Sequence, residues 1–219
     1  MIRLFILFML PAMVFAQVSK QQINDLHNGI LLVQLKTYDS KIAAMNQSGK
    51  TEAANEFKTK ITKMNQDLVA AFIHHYNFSP VYFFYSSDAE AIKNKKFTGI
   101  VMDSTLKVTD LGQNAGKPFF IAEIGKTESD TAMLSSNEQY QFKDSTGYES
   151  RKTYYQNHNI SYLALLIRSD QFIQLQDPFP AYVKFRSYDQ IPVKTTKIIS
   201  AVIELNDQLK GFYEVNKKN

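Results

Sequence analysis

The segment from Phe78 to Asp103 reads FSPVYFFYSSDAEAIKNKKFTGIVMD. Between Val81 and Tyr85 both alternating faces of the chain are apolar, which is typical of a strand covered on both sides of a sheet. Ser87–Glu90 has the spacing of a capping box and indicates that a short helix begins there. The apolar run Phe97–Met102 then predicts a second strand. We therefore expect a buried central β-α-β unit in the sheet.

Before this segment, apolar residues recur at the three- and four-residue spacing of a helix. Residues 19–47 carry two such stripes and are predicted to form one long helix. Gly49 supplies a turn, and residues 52–76 repeat apolar side chains as a packed helix does. The short connection predicts an antiparallel helical hairpin over residues 17–77. Residues 78–219 then form an α+β domain that is expected to share one structural unit with the hairpin.

After Asp103 the sequence alternates between short strand patterns and turns, and it ends in a helix. Glu123 within one strand pattern suggests that one side of that strand is less buried, and Asp144–Gly147 predicts a hairpin turn. The fold class is therefore α+β, with a mixed sheet and a C-terminal helix that packs back on the core. The predicted elements are strands at 106–108, 119–124, 139–143, 148–155, 160–167 and 181–186, and a helix at 193–215.

The first sixteen residues have the pattern of a secretory signal peptide. A basic Arg3 precedes an apolar run, and Val14–Ala16 places small residues before a cleavage site that would leave Gln17 first. The run is shorter than the roughly 20 residues that a membrane span requires. We expect cleavage after Ala16 and a secreted or periplasmic protein, with no transmembrane segment once the signal is removed.

Cysteine is absent from the chain, so the fold cannot contain a disulfide. An exported domain without disulfides is most natural in a bacterial envelope and must be held together by its core. The net charge is +4, of which Arg3 would leave with the signal. So small and evenly spread a charge does not favour a nucleic-acid partner.

Catalytic and ligand-binding motifs of high specificity are also absent. The chain has no Gly-x-Ser-x-Gly nucleophile motif and no glycine-rich phosphate loop. His74 and His75 are adjacent on a predicted helix, so they point in different directions and cannot share a metal ion. His27 and His158 stand alone in sequence. No cofactor is predicted from these residues.

Three predicted strands end in similar polar residues, and these suggest one candidate catalytic site. Asp88, Asp103 and Asp170 each follow such a strand. If the strands are parallel neighbours, their carboxyl ends lie at one edge of the sheet, where ligands bind. Carboxylates are suitable ligands for Mg²⁺ or Ca²⁺, which would indicate a metal-assisted hydrolase. Aspartate at turns and helix starts is the competing interpretation.

A second set of candidates would bind a ligand without catalysis. Ser86 and Ser87 follow the apolar strand, and Tyr154 and Tyr155 belong to an aromatic group on the predicted hairpin. Tyrosine suits recognition surfaces because it offers a large area at a small entropic cost. It is equally common in ordinary strands. The other aromatic side chains near these candidates are Tyr140, Phe142, Tyr148, Phe179 and Tyr182.

The sequence thus supports three functional hypotheses. The preferred one is a secreted or periplasmic non-enzymatic protein that binds a small ligand or assembles with an envelope protein. The first alternative is a metal-assisted hydrolase that uses the strand-end aspartates with Mg²⁺ or Ca²⁺. The second is a structural adaptor that acts through the helical hairpin.

Overall fold

The computed structural model describes residues 10–128, 139–143, 149–153, 161–186 and 190–217. It confirms the α+β class: helices surround a mixed sheet, and the last helix packs on the core. Within the described ranges, no helix combines the length and the apolarity that a bilayer span requires. The helices are α1 (Leu10–Asn28), α2 (Asp39–Gln47), α3 (Thr51–His75), α4 (Ala89–Lys93) and α5 (Thr195–Lys217).

A five-stranded sheet forms the centre of the molecule, in the order β2-β1-β3-β6-β7. The first three strands in this order are parallel, and β6 and β7 continue the sheet in antiparallel directions. β4 and β5 form a separate antiparallel pair. The strands are β1 (Ile30–Leu35), β2 (Val81–Tyr85), β3 (Phe119–Lys126), β4 (Gln139–Lys143), β5 (Glu149–Thr153), β6 (Leu163–Arg168) and β7 (Tyr182–Lys184).

The prediction of one helix over residues 19–47 is wrong. The helix ends at Asn28, and Ile30–Leu35 forms β1, which pairs with β2 on one side and with β3 on the other. All six residues of β1 are buried. A continuous apolar run fits the spacing of a helix and of a doubly covered strand alike. The helical hairpin is therefore built from α2 and α3, and its first arm is shorter than predicted.

The segment that suggested a central β-α-β unit lies at one end of the sheet instead. β2 is the outermost strand of the order, and the central place belongs to β1, between β2 and β3. Residues 97–102 do not form a strand; Met102 makes isolated antiparallel bridges to Phe83 and to Val108. The predicted strand at 106–108 is likewise reduced to one bridge. The capping box is not formed, because α4 begins without a side-chain cap bond.

The sheet is covered on both faces. On one face, α1, α3 and α5 pack against Leu31, Val33 and Phe120 to make the larger core. On the other face, Ile92 of α4 and the loop that follows it pack against Leu32 and neighbouring residues in a smaller core. The chain is thus a three-layer arrangement with its central strand shielded from water, which is why β1 has no polar alternation.

The rest of the chain follows the predicted order. β3, β6, β7 and α5 lie close to their predicted positions, and β4 and β5 pair as the expected hairpin. The backbone amide of Asn77 donates to Asn206 Oδ1 over 3.0 Å and links the end of α3 to α5. Residues 1–9, residues 144–148, where a hairpin turn is predicted, and residues 154–160 lie outside the described residues.

Candidate functional site

The order of the strands indicates where a ligand crevice is expected. The connection from β1 to β2 runs through α2 and α3 on the larger-core face, whereas the connection from β2 to β3 runs through α4 on the opposite face. The strand order therefore reverses at β1: the chain passes from β1 to β2 on one side and then back past β1 to β3 on the other. In open α/β sheets, ligands bind at the carboxyl ends of the strands where the crossovers reverse. The residues that end β1 and β3 are thus the first place to look for a site.

Five polar side chains meet beside the carboxyl end of β1, on the smaller-core face of the sheet. Lys36 Nζ contacts Gln34 Oε1 and Glu123 Oε2. Arg168 Nε donates to Glu123 Oε1 over 2.6 Å, and Arg168 Nη1 donates to Glu128 Oε1 over 2.6 Å. We refer to Gln34, Lys36, Glu123, Glu128 and Arg168 as the polar cluster.

Charges in the polar cluster are largely withdrawn from water. The exposed fractions of the side chains are 24% for Lys36, 9% for Glu123, 11% for Arg168 and 56% for Glu128. The expectation that Glu123 marks a less buried side of β3 is wrong, since its two cationic partners allow the carboxylate to lie inside. Because residue 125 is glycine, there is space beside it for the Glu123 carboxylate: a Cβ at that position would lie 3.2 Å from Glu123 Oε1.

Residues 169–174 form a tight turn after β6 that holds the Arg168 side chain in place. We call it the 169–174 turn. Its backbone closes through a 2.9 Å bond from the Ser169 amide to the Ile173 carbonyl. The Phe172 carbonyl accepts from Arg168 Nη1 over 3.3 Å, and the Phe172 ring lies edge-on to Phe84 at 6.4 Å. Phe172 has a φ of 62°, a strained conformation for a bulky residue. Such strain tends to occur at functional sites.

The loop after β1 forms the other wall of the crevice. Tyr38, which precedes α2, has a left-handed φ of 55°, so a second strained aromatic residue adjoins the polar cluster. The backbone amide of Thr37 donates to Ser86 Oγ over 3.0 Å. This bond ties the carboxyl end of β1 to that of β2 and holds the loop in place.

Asn65 of α3 reaches the same loop from the larger-core face. Its Nδ2 donates to the Lys36 carbonyl over 2.9 Å, which fixes the orientation of the amide. Asn65 is 9% exposed, and its Oδ1 is a buried acceptor without a hydrogen-bond partner in the described part of the chain. An unpaired buried acceptor costs roughly 1–3 kcal/mol.

The electrostatics of the crevice act on Tyr38. Burial of its hydroxyl, and then the negative charge of Glu123, raise the pKa of Tyr38 to about 12 from an ordinary value of 10.0. The folded state therefore holds the phenol proton more tightly than the unfolded state does. The corresponding stability is fully present below pH 10 and is lost as the pH rises toward about 12.

We expect a Tyr38→Phe variant to lose less stability than the wild-type chain between pH 10 and about 12, because it has no phenol to deprotonate. Urea denaturation at a series of pH values measures this. A Glu123→Gln variant should lower the pKa of Tyr38 without restoring it fully, since burial, the larger cause, remains. Carbon-13 NMR of labelled tyrosine would follow it. Equal loss of stability in the wild-type and Tyr38→Phe chains would contradict the assignment.

The structure does not bring the three candidate aspartates together. Asp103 Oδ1 accepts from Thr105 Oγ1 and from the Thr105 amide, each over 2.7 Å. These bonds lower the pKa of Asp103 and make it a turn residue. Asp170 lies 3.5 Å from Lys95 Nζ. Among the described residues, no group of three or more acidic, histidine or cysteine side chains is arranged to hold a metal ion.

Strand direction explains this separation. Asp88 follows the carboxyl end of β2, whereas the antiparallel bridge between Phe83 and Met102 directs Asp103 toward the amino end of that strand. β6 runs antiparallel to β3, so Asp170 follows a strand end that points away from the carboxyl ends of the parallel strands. The metal-assisted hydrolase therefore gains no support from the arrangement of these residues.

The ligand-binding candidates have mixed positions. Ser86 lies at the rim of the crevice through its bonds to Thr37. Ser87 is exposed, and its hydroxyl makes a 3.4 Å contact with Asp88. Tyr154 and Tyr155 lie outside the described residues, as does Tyr148. Nothing is described of the side chains of Tyr140 and Phe142.

Two further aromatic candidates are placed by the structure. Phe179 is 1% exposed and stacks on Phe120 at 6.4 Å, so it belongs to the core. Tyr182 of β7 is partly buried, and Lys184 Nζ lies 5.5 Å from its ring.

The adaptor hypothesis requires an apolar stripe exposed on the helical hairpin. None of the residues of α2 is buried, but its apolar side chains Ile42 and Met45 are partly covered. Among the large apolar side chains that are exposed in the described residues, Ile73 of α3 is the one that belongs to the helical hairpin. The hairpin therefore does not present a continuous apolar face over its described length.

Glu123 is the member of the polar cluster that the sequence singles out, as an acidic residue within an apolar strand pattern. Arg168 directly follows the strand that is predicted at 160–167. Gln34 and Lys36 were hidden within the predicted long helix. The signal that could have joined them is their common placement: one or two polar residues in the later half of otherwise apolar runs, with opposite charges on different runs.

The chain matches no family model, and comparisons with curated proteins and with solved structures find no significant similarity.

Proposed function

We propose that this chain is an exported, non-enzymatic binding protein whose ligand site is the polar cluster beside the carboxyl end of β1. One observation carries the proposal: Glu123 and Arg168 are withdrawn from water as charged side chains on the smaller-core face of the sheet. Taking each charge out of water costs several kcal/mol, and apolar residues of similar volume would often be at least as stabilising. A site that must bind something polar supplies a reason for these charges.

Two features near the polar cluster support a binding role. Tyr38 and Phe172 hold strained backbone conformations, and strain of this kind tends to occur at functional sites. The charged groups of the cluster are also fixed by their mutual ion pairs, so little conformational entropy would be lost on binding.

Export is supported by the sequence. The apolar run that ends in Val14–Ala16 has the form of a signal peptide, and the chain contains no cysteine. Expression of the full chain in a bacterium, followed by fractionation and N-terminal sequencing, tests this part. A periplasmic or secreted product that begins at Gln17 is the expected result, and an uncleaved cytoplasmic product would contradict it.

Ligand binding is tested by thermal shift with a panel of small carboxylates, phosphates, neutral sugars and amines. We expect one class to raise the unfolding temperature of the wild-type chain and to lose most of that effect with Lys36→Met, because Lys36 is the partly exposed amine of the polar cluster. Lys60→Met is the matched control, since Lys60 pairs with Glu56 on the exposed surface of α3. Failure of every class to shift the wild-type chain would overturn the proposal.

A further inference from the structure

We infer that the ligand of the polar cluster carries an oxyanion, a carboxylate or a phosphate, which binds Arg168 in place of the Glu128 side chain. This inference rests on the proposed function and adds the chemical class of the ligand to it. It follows from three observations: the charge balance of the polar cluster, the geometry of the guanidinium and the rigidity of its surroundings.

The charge balance comes first. Lys36, Glu123 and Arg168 form an inner group whose side chains are at most a quarter exposed, and together they carry one net positive charge. Glu128 is more than half exposed and neutralises this charge from the solvent side. An exposed carboxylate in an ion pair contributes little to stability. Glu128 can therefore leave, whereas the inner three charges cannot separate without a large cost.

Arg168 also has unused capacity to bind an anion. Its Nε is taken by Glu123, and its Nη1 bonds one oxygen of Glu128. Its Nη2 makes a longer, 3.4 Å contact with the Lys126 carbonyl. The two terminal nitrogens of arginine form a planar fork that matches carboxylate and phosphate oxygens with two parallel bonds. An incoming oxyanion would thus gain a bidentate geometry that Glu128 does not make.

The guanidinium is held ready for this exchange. Glu123 fixes it from within the sheet, and the Phe172 carbonyl contacts it from the 169–174 turn. That turn is itself held by the Lys95–Asp170 ion pair and by the packing of Phe172 on Phe84. Arg168 would not have to move when Glu128 is replaced, so the cost of organising the site is already met in the unliganded fold.

The test uses the full-length exported chain and two probes, sodium phosphate and sodium acetate, titrated against sodium chloride at matched ionic strength. Binding is followed by calorimetry and by the unfolding temperature. In Glu128→Gln the internal competitor is gone and the site is left positive, so probe affinity should rise about three- to tenfold. Arg168→Lys keeps the charge but loses the fork, and affinity should fall about tenfold. Glu56→Gln, an exposed glutamate of α3, should change nothing.

The outcomes separate this inference from the proposed function. Tighter binding of either probe by Glu128→Gln supports the inference, and the stronger probe identifies the oxyanion as carboxylate or phosphate. Unchanged or weaker binding by Glu128→Gln overturns it, even if Arg168→Lys fails to fold. If a neutral sugar binds in a Lys36-dependent way while neither probe does, the oxyanion is wrong and the binding function stands. If no compound of any class binds, both fail.

Discussion

Gly29→Ala is expected to destabilise the fold by about 3 kcal/mol, because no side chain fits between α1 and β1. A Cβ at position 29 would lie 2.2 Å from the Pro118 carbonyl oxygen and 2.4 Å from that of Asp25. Both atoms belong to the backbone, so neither can rotate away. Pro118 O also accepts the 3.0 Å bond from the Ile30 amide that starts the pairing of β1 with β3.

Gly211→Ala is the matched control for this substitution. Gly211 lies within α5, and a Cβ there would meet no atom within 4 Å. Alanine should stabilise that helix by about 0.5–1 kcal/mol relative to glycine. Urea denaturation of the two variants should therefore give changes of opposite sign. A Gly29→Ala variant as stable as Gly211→Ala would show that β1 does not approach the 118 carbonyl as described.

The second large effect is expected from Glu123→Ala, which should cost about 3–5 kcal/mol of folding stability. The substitution removes the acceptor of both Lys36 and Arg168. Arg168 is 11% exposed, so its charge would stay in a poorly hydrated place with a weaker partner. The loss should be smaller in the presence of a bound anion, which would supply part of the missing negative charge.

Glu56→Ala is the control that shows whether burial of the ion pair, rather than the loss of a charge alone, causes the destabilisation. Glu56 also pairs with a lysine, Lys60, over 2.6 Å, but both side chains are more than half exposed. Surface pairs of this kind contribute little to stability, so chemical denaturation should barely distinguish Glu56→Ala from the wild-type chain. If both variants lose the same small amount, the polar cluster is not a desolvated network and the candidate site loses its physical basis.

Most of the elements could be predicted because their patterns are local. α3 and α5 carry apolar residues at helical spacing, and the β4–β5 hairpin has polar turn residues between its strands. β1 could not be separated from α1 and α2, because a mainly apolar run of this length satisfies both periods. The decisive restraint is the carbonyl of Pro118 beside Gly29, and that contact joins parts of the chain that are distant in sequence.

The candidate site was less predictable than the fold. The prediction for Asp170 required its strand to be a parallel neighbour of the strands that precede Asp88 and Asp103. β6 runs antiparallel to β3 instead, and the side chain of its last residue, Arg168, reaches Glu123 and Glu128. Strand order and direction depend on the whole chain, and no local pattern near Arg168 or Lys36 reports them.

The central place of β1 has a consequence for how the chain emerges and folds. Leu31 pairs with Val81, and Ile30 pairs with Phe119. The most buried strand is therefore synthesised early, but both strands that pair with it follow much later in the chain. Closing such long loops lowers the folding rate of a domain. Until residue 119 has been synthesised, the edge of β1 that pairs with β3 stays unpaired, and an exposed edge on a mainly apolar strand invites aggregation.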